Sequence, residues 1–488
     1  MRRICIVFFQ SSIFVFLTFL LLTFLLLAFL FTPGSAWSQE DGTAASIAEK
    51  DSPGELGKLR DNCPIKHVIG CAEVLFTGQP VHIAVGTIAP QNGVGAGVAY
   101  LGHKTTDNWR INWNSDAVAS SNASWRAGLY VKFVDSRQPD MVAERGTKGA
   151  GSNPTELPEQ PVINLYAQTT SLNKLTYFGL GSNTPVTGRS FYGMTESLVG
   201  ASGVKPFHPA LHASIYGELS GRWTDVRGSR QQESPSIEQL YTDATAPGLR
   251  SQPFFLQLGA GLRARPSFKD DLIHLNYDAA YRPYMAVSDH HASFQRFTID
   301  LSHQVSLYRK TRLLLPRETN GPDDCSLDPT ADRPQCPRAT TTTRNLEGSV
   351  GIRVFTALSM TPGAATVPFY LQPTIGGSDI NGNASLGSYA DYRFRAPNLL
   401  VLRESFEHSV WKWPVGFMLL ADQGQLALTR GDLGSNPWRH SFSTGLTLRA
   451  GGFPQVDLLF SWGGNEGTHI NANVNSSLLG ASTRPSLF

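Results

Sequence analysis

Apolar and polar residues alternate with period two along most of this chain, over runs that are long for strands. Leu211, Ala213, Ile215, Gly217, Leu219, Gly221 and Trp223 fall on one face, and His212, Ser214, Tyr216, Glu218, Ser220, Arg222 and Thr224 on the other. The same rhythm recurs from Phe297 to Leu307, from Ile273 to Tyr281 and from Trp125 to Phe133. Period two predicts β-strands. Strands of a soluble sandwich are about five or six residues long. These run to about nine or more, the length that crosses a bilayer at a tilt.

Lipid explains the pattern. Within hydrocarbon every backbone polar group must be bonded inside the protein, so only helices or closed barrels cross. A barrel turns apolar side chains outward and polar ones inward, which gives each strand this dyad. Charged residues make up only 16% of the chain, which suits strands and turns better than a soluble helical enzyme. Trp109, Trp125 and Trp223 sit near strand ends, where interface girdles belong. From Val81 to Leu479 about sixteen strand-like segments can be read, in keeping with an even-numbered barrel. The fold class expected is therefore all-β, a transmembrane antiparallel barrel over residues 80–488. A large periplasmic β-protein is the alternative that alternation alone leaves open.

The N-terminus predicts export. Arg2 and Arg3 precede a long apolar stretch, and small residues follow, with cleavage expected after Ala36 or Ser38. Residues 1–38 read as a signal peptide; an uncleaved anchor is the alternative, since Ile13 to Phe31 is long enough to span as a helix. Residues 39–79 read as a flexible periplasmic lead. Cys63 with Cys71, and Cys325 with Cys336, form two close pairs in polar stretches. In an oxidising compartment each reads as a local disulfide. The net charge of +2 comes down to zero without the first 38 residues, and no basic patch with interleaved aromatics suggests nucleic acid.

The stretch from Ile375, "IGGSDINGNASLGSYADYRFRAPNLL", lies between two strand-like runs. It is too rich in glycine and small polar residues for a helix, and too rich in aromatics and arginines for a plain linker. Together with "FGLGSNT" (Phe178 to Thr184) and "LLADQGQL" (Leu419 to Leu426) it resembles motifs of the BamA/TamA outer-membrane assembly superfamily, also called the bacterial surface antigen family. The early motif rests on Phe178, Gly179, Gly181 and Thr184. The stretch from Ile375 resembles that family's long extracellular loop, which folds back into the barrel lumen. Its parts are Gly376, Gly377 and Ser378, then the tetrad Leu386, Gly387, Ser388 and Tyr389, then the arginine run with Arg393 and Arg395. Asp422 and Gly424 match the strand that faces the loop. "STGLTLRAGGFPQVDLLFSWGGNEG" is similar to the family's closing hairpin. About eleven strand-like segments precede the loop and five follow, the split that the resemblance implies. Arg393 or Arg395 is expected to pair with a carboxylate on the lumen wall, with Asp422 the candidate, because a buried arginine needs such a partner.

Two departures bear on function. The family tetrad has Arg where this chain has Gly387, so the family's loop-to-wall ion pair does not carry over as it stands. About forty residues separate the cleavage site from the first strand, roughly half of what one periplasmic POTRA module needs, so the resemblance is to a POTRA-less branch. The last readable strand, about His469 to Leu479, is rich in Asn and Ser.

The resemblance implies insertion or translocation of proteins, or outer-membrane biogenesis, with outer-membrane lipids, unfolded client proteins or a periplasmic accessory protein as partners. The alternative is a passive pore or structural outer-membrane protein. A lipid-modifying enzyme ranks last, since there is no GxSxG elbow, no P-loop and no spacing that singles out a catalytic set. "GVGAGV" (Gly93 to Val98) reads as a small-residue strand, and Asp289, His290 and His291 as a solvated loop. No cofactor and no metal site is expected.

Overall fold

The computed structural model describes the chain between residues 81 and 474, apart from residues 107, 136–159, 209–210, 231–234, 269–271, 308, 315–340, 347, 411–414 and 451–452. The signal peptide, the lead with Cys63 and Cys71, the pair Cys325 and Cys336, and residues 475–488 lie outside the described residues. The large sheet falls in a unit built from residues 46–142, 157–314 and 342–488.

The alternating runs form strands that pair in sequence order. The first seven are β1 (Val81–Thr87), β2 (Val94–Thr105), β3 (Trp109–Ser120), β4 (Trp125–Asp135), β5 (Val162–Tyr177), β6 (Ser190–His208) and β7 (Ala213–Gly228). Next come β8 (Phe255–Ala264), the two-residue β9 (Ser267–Phe268), β10 (Ile273–Ala286) and β11 (Phe294–Ser306). A separate pair, β12 (Arg309–Leu314) and β13 (Thr341–Leu346), precedes β14 (Gly348–Met360). A second small pair, β15 (Thr374–Ile375) and β16 (Phe394–Arg395), lies within the long connection that leads to β17 (Asn398–Ser409). The chain closes with β18 (Val415–Ala427), β19 (Arg439–Ala450), β20 (Phe453–Gly464) and β21 (Gly467–Val474).

These make one antiparallel sheet of 17 strands, with β9 its only two-residue member. Eleven long strands precede residues 361–397 and five follow, the division that the motifs imply. β21 starts two residues before the strand read from the sequence.

The sheet is curled, as contacts to its two ends establish. Tyr392 Oη donates to Pro90 O, in the β1–β2 turn, at 3.0 Å, while Asn471 Nδ2 on β21 donates to Gly387 O at 3.0 Å. Laid flat at about 4.8 Å per strand, β2 and β21 would stand roughly 70 Å apart. Residues 387 and 392 can span at most about 18 Å. Only a barrel brings both ends to one short segment.

Burial runs opposite to a soluble sandwich. On β7, Ile215, Leu219 and Trp223 are 46%, 50% and 49% exposed, while Ser220 and Arg222 between them are 2% and 1% exposed. Burying a large apolar side chain is worth about 1.5–3 kcal/mol. Rows of such residues turned outward make sense only against an apolar solvent. The main apolar core lies inside the barrel at one end, where Tyr177, Tyr192, Phe255, Phe294, Phe369 and Tyr370 pack together.

Candidate functional site

Residues 361–397 fold into the lumen as a lobe pinched by the β15–β16 pair. The lobe turns on Gly376 and Gly377, at φ +103° and +57°. A Cβ on Gly377 would lie 2.5 Å from the Asp391 carboxylate, and one on Gly376 2.6 Å from Arg393 Cβ, so only glycine fits this crossing. Ser378 N donates to Asp391 Oδ1 at 2.9 Å, which ties the two halves of the lobe. Burial pushes the Asp391 carboxyl above its usual range, against the Ser378 N–H, which acts to lower it.

Between them the tetrad residues touch each of the last four strands. Leu386 N donates to Asp422 Oδ2 on β18 at 2.9 Å, and Ser388 N to Ser441 Oγ on β19 at 2.9 Å. Gly387 sits against Ser461 of β20 and Asn471 of β21, where a Cβ would meet Ser461 Oγ at 2.6 Å and Asn471 Nδ2 at 2.9 Å. Gly424 leaves a flat place on the wall: a Cβ there would lie 2.8 Å from Ile375 and 3.2 Å from Leu386. The Tyr389 ring meets Phe394 edge-on, with centroids 5.1 Å apart.

The early motif joins from the other side. Gly179 and Gly181 have φ of +102° and +92°, and Gly181 N donates to Arg395 O at 2.7 Å. The Arg393 guanidinium lies 4.6 Å from the Phe178 ring centre and 4.5 Å from that of Phe394. It donates to Thr184 Oγ1 and O at 2.7 and 2.6 Å, and to Glu466 Oε1 at 2.5 Å. Arg395 donates to Phe369 O at 2.6 Å and to Tyr192 Oη at 3.2 Å.

One expectation is corrected. Asp422 pairs with Arg403 of β17, at 2.6 and 3.0 Å, and not with Arg393 or Arg395. The strand register sets this, because residues 403 and 422 stand directly opposite each other. Arg403 also donates to Ala384 O of the lobe. The guanidinium therefore comes from the wall, where the tetrad with Gly387 supplies none. Residue spacing alone did not identify Arg403, Glu466, Ser441, Ser461 or Asn471. The usable signal for Arg403 was its inward place in the strand before "LLADQGQL".

Asp289 caps the turn His290–Ala292 by accepting from His291 N at 3.1 Å, and both histidines are exposed. Among the described residues no group of three or more His, Cys, Asp or Glu could hold a metal ion.

Fold and site together define an antiparallel β-barrel with a long loop docked in its lumen. No family model and no curated protein matches the chain. Among solved structures it is similar to CdiB from Acinetobacter baumannii, at 12% identity over 81% of this chain and 59% of that one, with a TM-score of 0.40. It is also similar to BamA from Haemophilus ducreyi lacking POTRA domains 1–3, at 11% identity over 80% and 68%, TM-score 0.43. CdiB from Escherichia coli gives 14% identity over 78% and 58%, TM-score 0.43. The chain thus resembles BamA and CdiB barrels at low identity, and it spans 59% of the length of the first.

Proposed function

We propose that this chain is an outer-membrane barrel that acts in insertion or translocation of proteins, or more broadly in outer-membrane biogenesis. The observation that carries the reading is the loop itself, docked by successive tetrad residues on β18 to β21 and by Arg393 on the early motif. A lumen filled in this way is ill suited to free diffusion, and the loop sits where it holds the terminal strands in register. β21 carries Asn471 and Asn473 and exposes Ile470, a strand whose register is weakly specified. A client strand would pair with such an edge by β-augmentation. Under this reading Gly376, Gly377, Ser378, the tetrad, Arg393 and Arg395 dock the loop, and Asp422 and Gly424 receive it. Export by residues 1–38, a lead over residues 39–79, the disulfides Cys63–Cys71 and Cys325–Cys336, and a non-enzymatic role belong to the same proposal.

A passive pore is the second reading, favoured by a lumen cavity of about 390 Å³ whose lining includes the charged side chains Arg263, Asp278, Arg353 and Arg403. Purified protein in dye-loaded liposomes separates the two. Faster insertion of an added urea-unfolded outer-membrane protein, with slow dye loss, supports the assembly reading. Fast dye release without faster insertion makes the chain a pore.

A further inference from the structure

Arg282 on β10 stands directly opposite Arg296 on β11, and Arg353 on β14 directly opposite Arg403 on β17. Like charges placed this way repel. Three of the four have a carboxylate nearby. Arg353 makes a bidentate pair with Asp300 at 2.8 and 2.6 Å, Arg403 pairs with Asp422, and Arg282 lies 3.7 Å from Glu218.

Arg296 differs. It is 3% exposed, and it donates to two neutral oxygens, Leu371 O at 2.6 Å and Ser359 Oγ at 3.4 Å. Its guanidinium carbon lies 5.5 Å from the Tyr284 ring centre and 5.1 Å from that of Phe294. Carbonyl, hydroxyl and ring faces offset only part of the cost of burying a full charge.

All four arginines line the cavity of about 390 Å³ between the wall and the docked lobe. Its lining holds six arginines (263, 265, 282, 296, 353 and 403) against three aspartates (278, 300 and 379). At about 30 Å³ per water the space would take roughly a dozen waters, room for more than a single ion. Arg296 lies at the end next to the aromatic core, two residues from Phe294, and its fork is suited to a tetrahedral oxyanion.

We propose that this lumen cavity binds a phosphate-class oxyanion, held chiefly by Arg296 with Arg282 opposite. The phosphate would be free in solution or part of a lipid headgroup. The site is independent of whether the barrel inserts proteins.

The test uses the purified full chain in detergent, titrated with inorganic pyrophosphate and, separately, with sodium chloride at matched ionic strength. Calorimetry and the melting temperature are read together. Saturable binding with a rise in melting temperature is expected for pyrophosphate alone. Arg296→Gln should weaken it about tenfold or more, as expected for the loss of hydrogen bonds to a charged group. Arg250→Gln, at a side chain that is 81% exposed, should not change it. If Arg296→Gln fails to fold, Arg282→Gln is read in its place. Equal shifts with chloride, or saturable binding unchanged in these lumen variants, would mean an adventitious ion only and overturn the site. Competition by a short-chain phosphatidic acid assigns the phosphate to a lipid headgroup, and its absence to a free anion.

Discussion

Arg403 and Asp422 face each other across the β17–β18 ladder, and each also holds the lobe docked against them. Asp422 accepts two bonds from Arg403 and one from Leu386 N, while Arg403 reaches on to Ala384 O. One ion pair thus fixes the wall and the loop at once.

Replacing Asp422 by Ala therefore leaves the buried Leu386 N without its acceptor and the half-buried Arg403 without its carboxylate. The Asp422 side chain is 2% exposed and that of Arg403 22%, so the loss should approach the about 3 kcal/mol lower end expected for breaking a buried pair. The melting temperature in detergent should fall clearly. An Asp422→Ala barrel that melts like the native one would sink the clamp.

Gly387→Arg would restore the residue type that the resembled tetrad carries, but there is no room for it. Its Cβ would meet Ser461 Oγ and Asn471 Nδ2. The expected outcome is faster hydrogen exchange of β20 and β21 amides, with β5 and β6 little changed. Gly387→Ala should show a weaker form of the same pattern.

Arg393→Lys keeps the charge and loses the planar fork that reaches Thr184 twice and lies between Phe178 and Phe394. A lysine offers a point charge there. A loss of about 1–3 kcal/mol is expected for the broken charge-assisted bonds. Protease sensitivity of the loop should rise, and equal sensitivity of the variant and native loops would count against the latch.

Asp391 predicts an unusual pH dependence. Its carboxyl is raised in the folded protein by burial. A group raised on folding takes up its proton in the folded state before the unfolded chain does. Its contribution is therefore most favourable at low pH and is lost as pH rises through the unfolded value toward the folded one. Between about pH 7 and about pH 4 the native protein should gain stability relative to Asp391→Asn. Parallel melting curves for the two across that range would refute the assignment.

Much of the architecture was legible in the chain because a strand's face is a local property. Alternation over residues 211–224 marks an outward and an inward side without reference to any other strand, and it places Ile215 and Arg222 correctly. The tight turning of the glycine-rich stretch at Gly376 and Gly377 was readable for the same reason, since positive φ is a demand of the local backbone. Eleven strands before the loop and five after it followed from those runs.

What the sequence could not supply was who meets whom. Asp422 finds Arg403, not Arg393, because the β17–β18 register sets them opposite each other. Thr184 meets Arg393, 209 residues away, and Asn471 meets Gly387 only because the sheet curls until both its ends reach one lobe. Alternation repeats every two residues and cannot encode register or curvature. Those depend on the pairing of whole strands, and only the tertiary structure decides them.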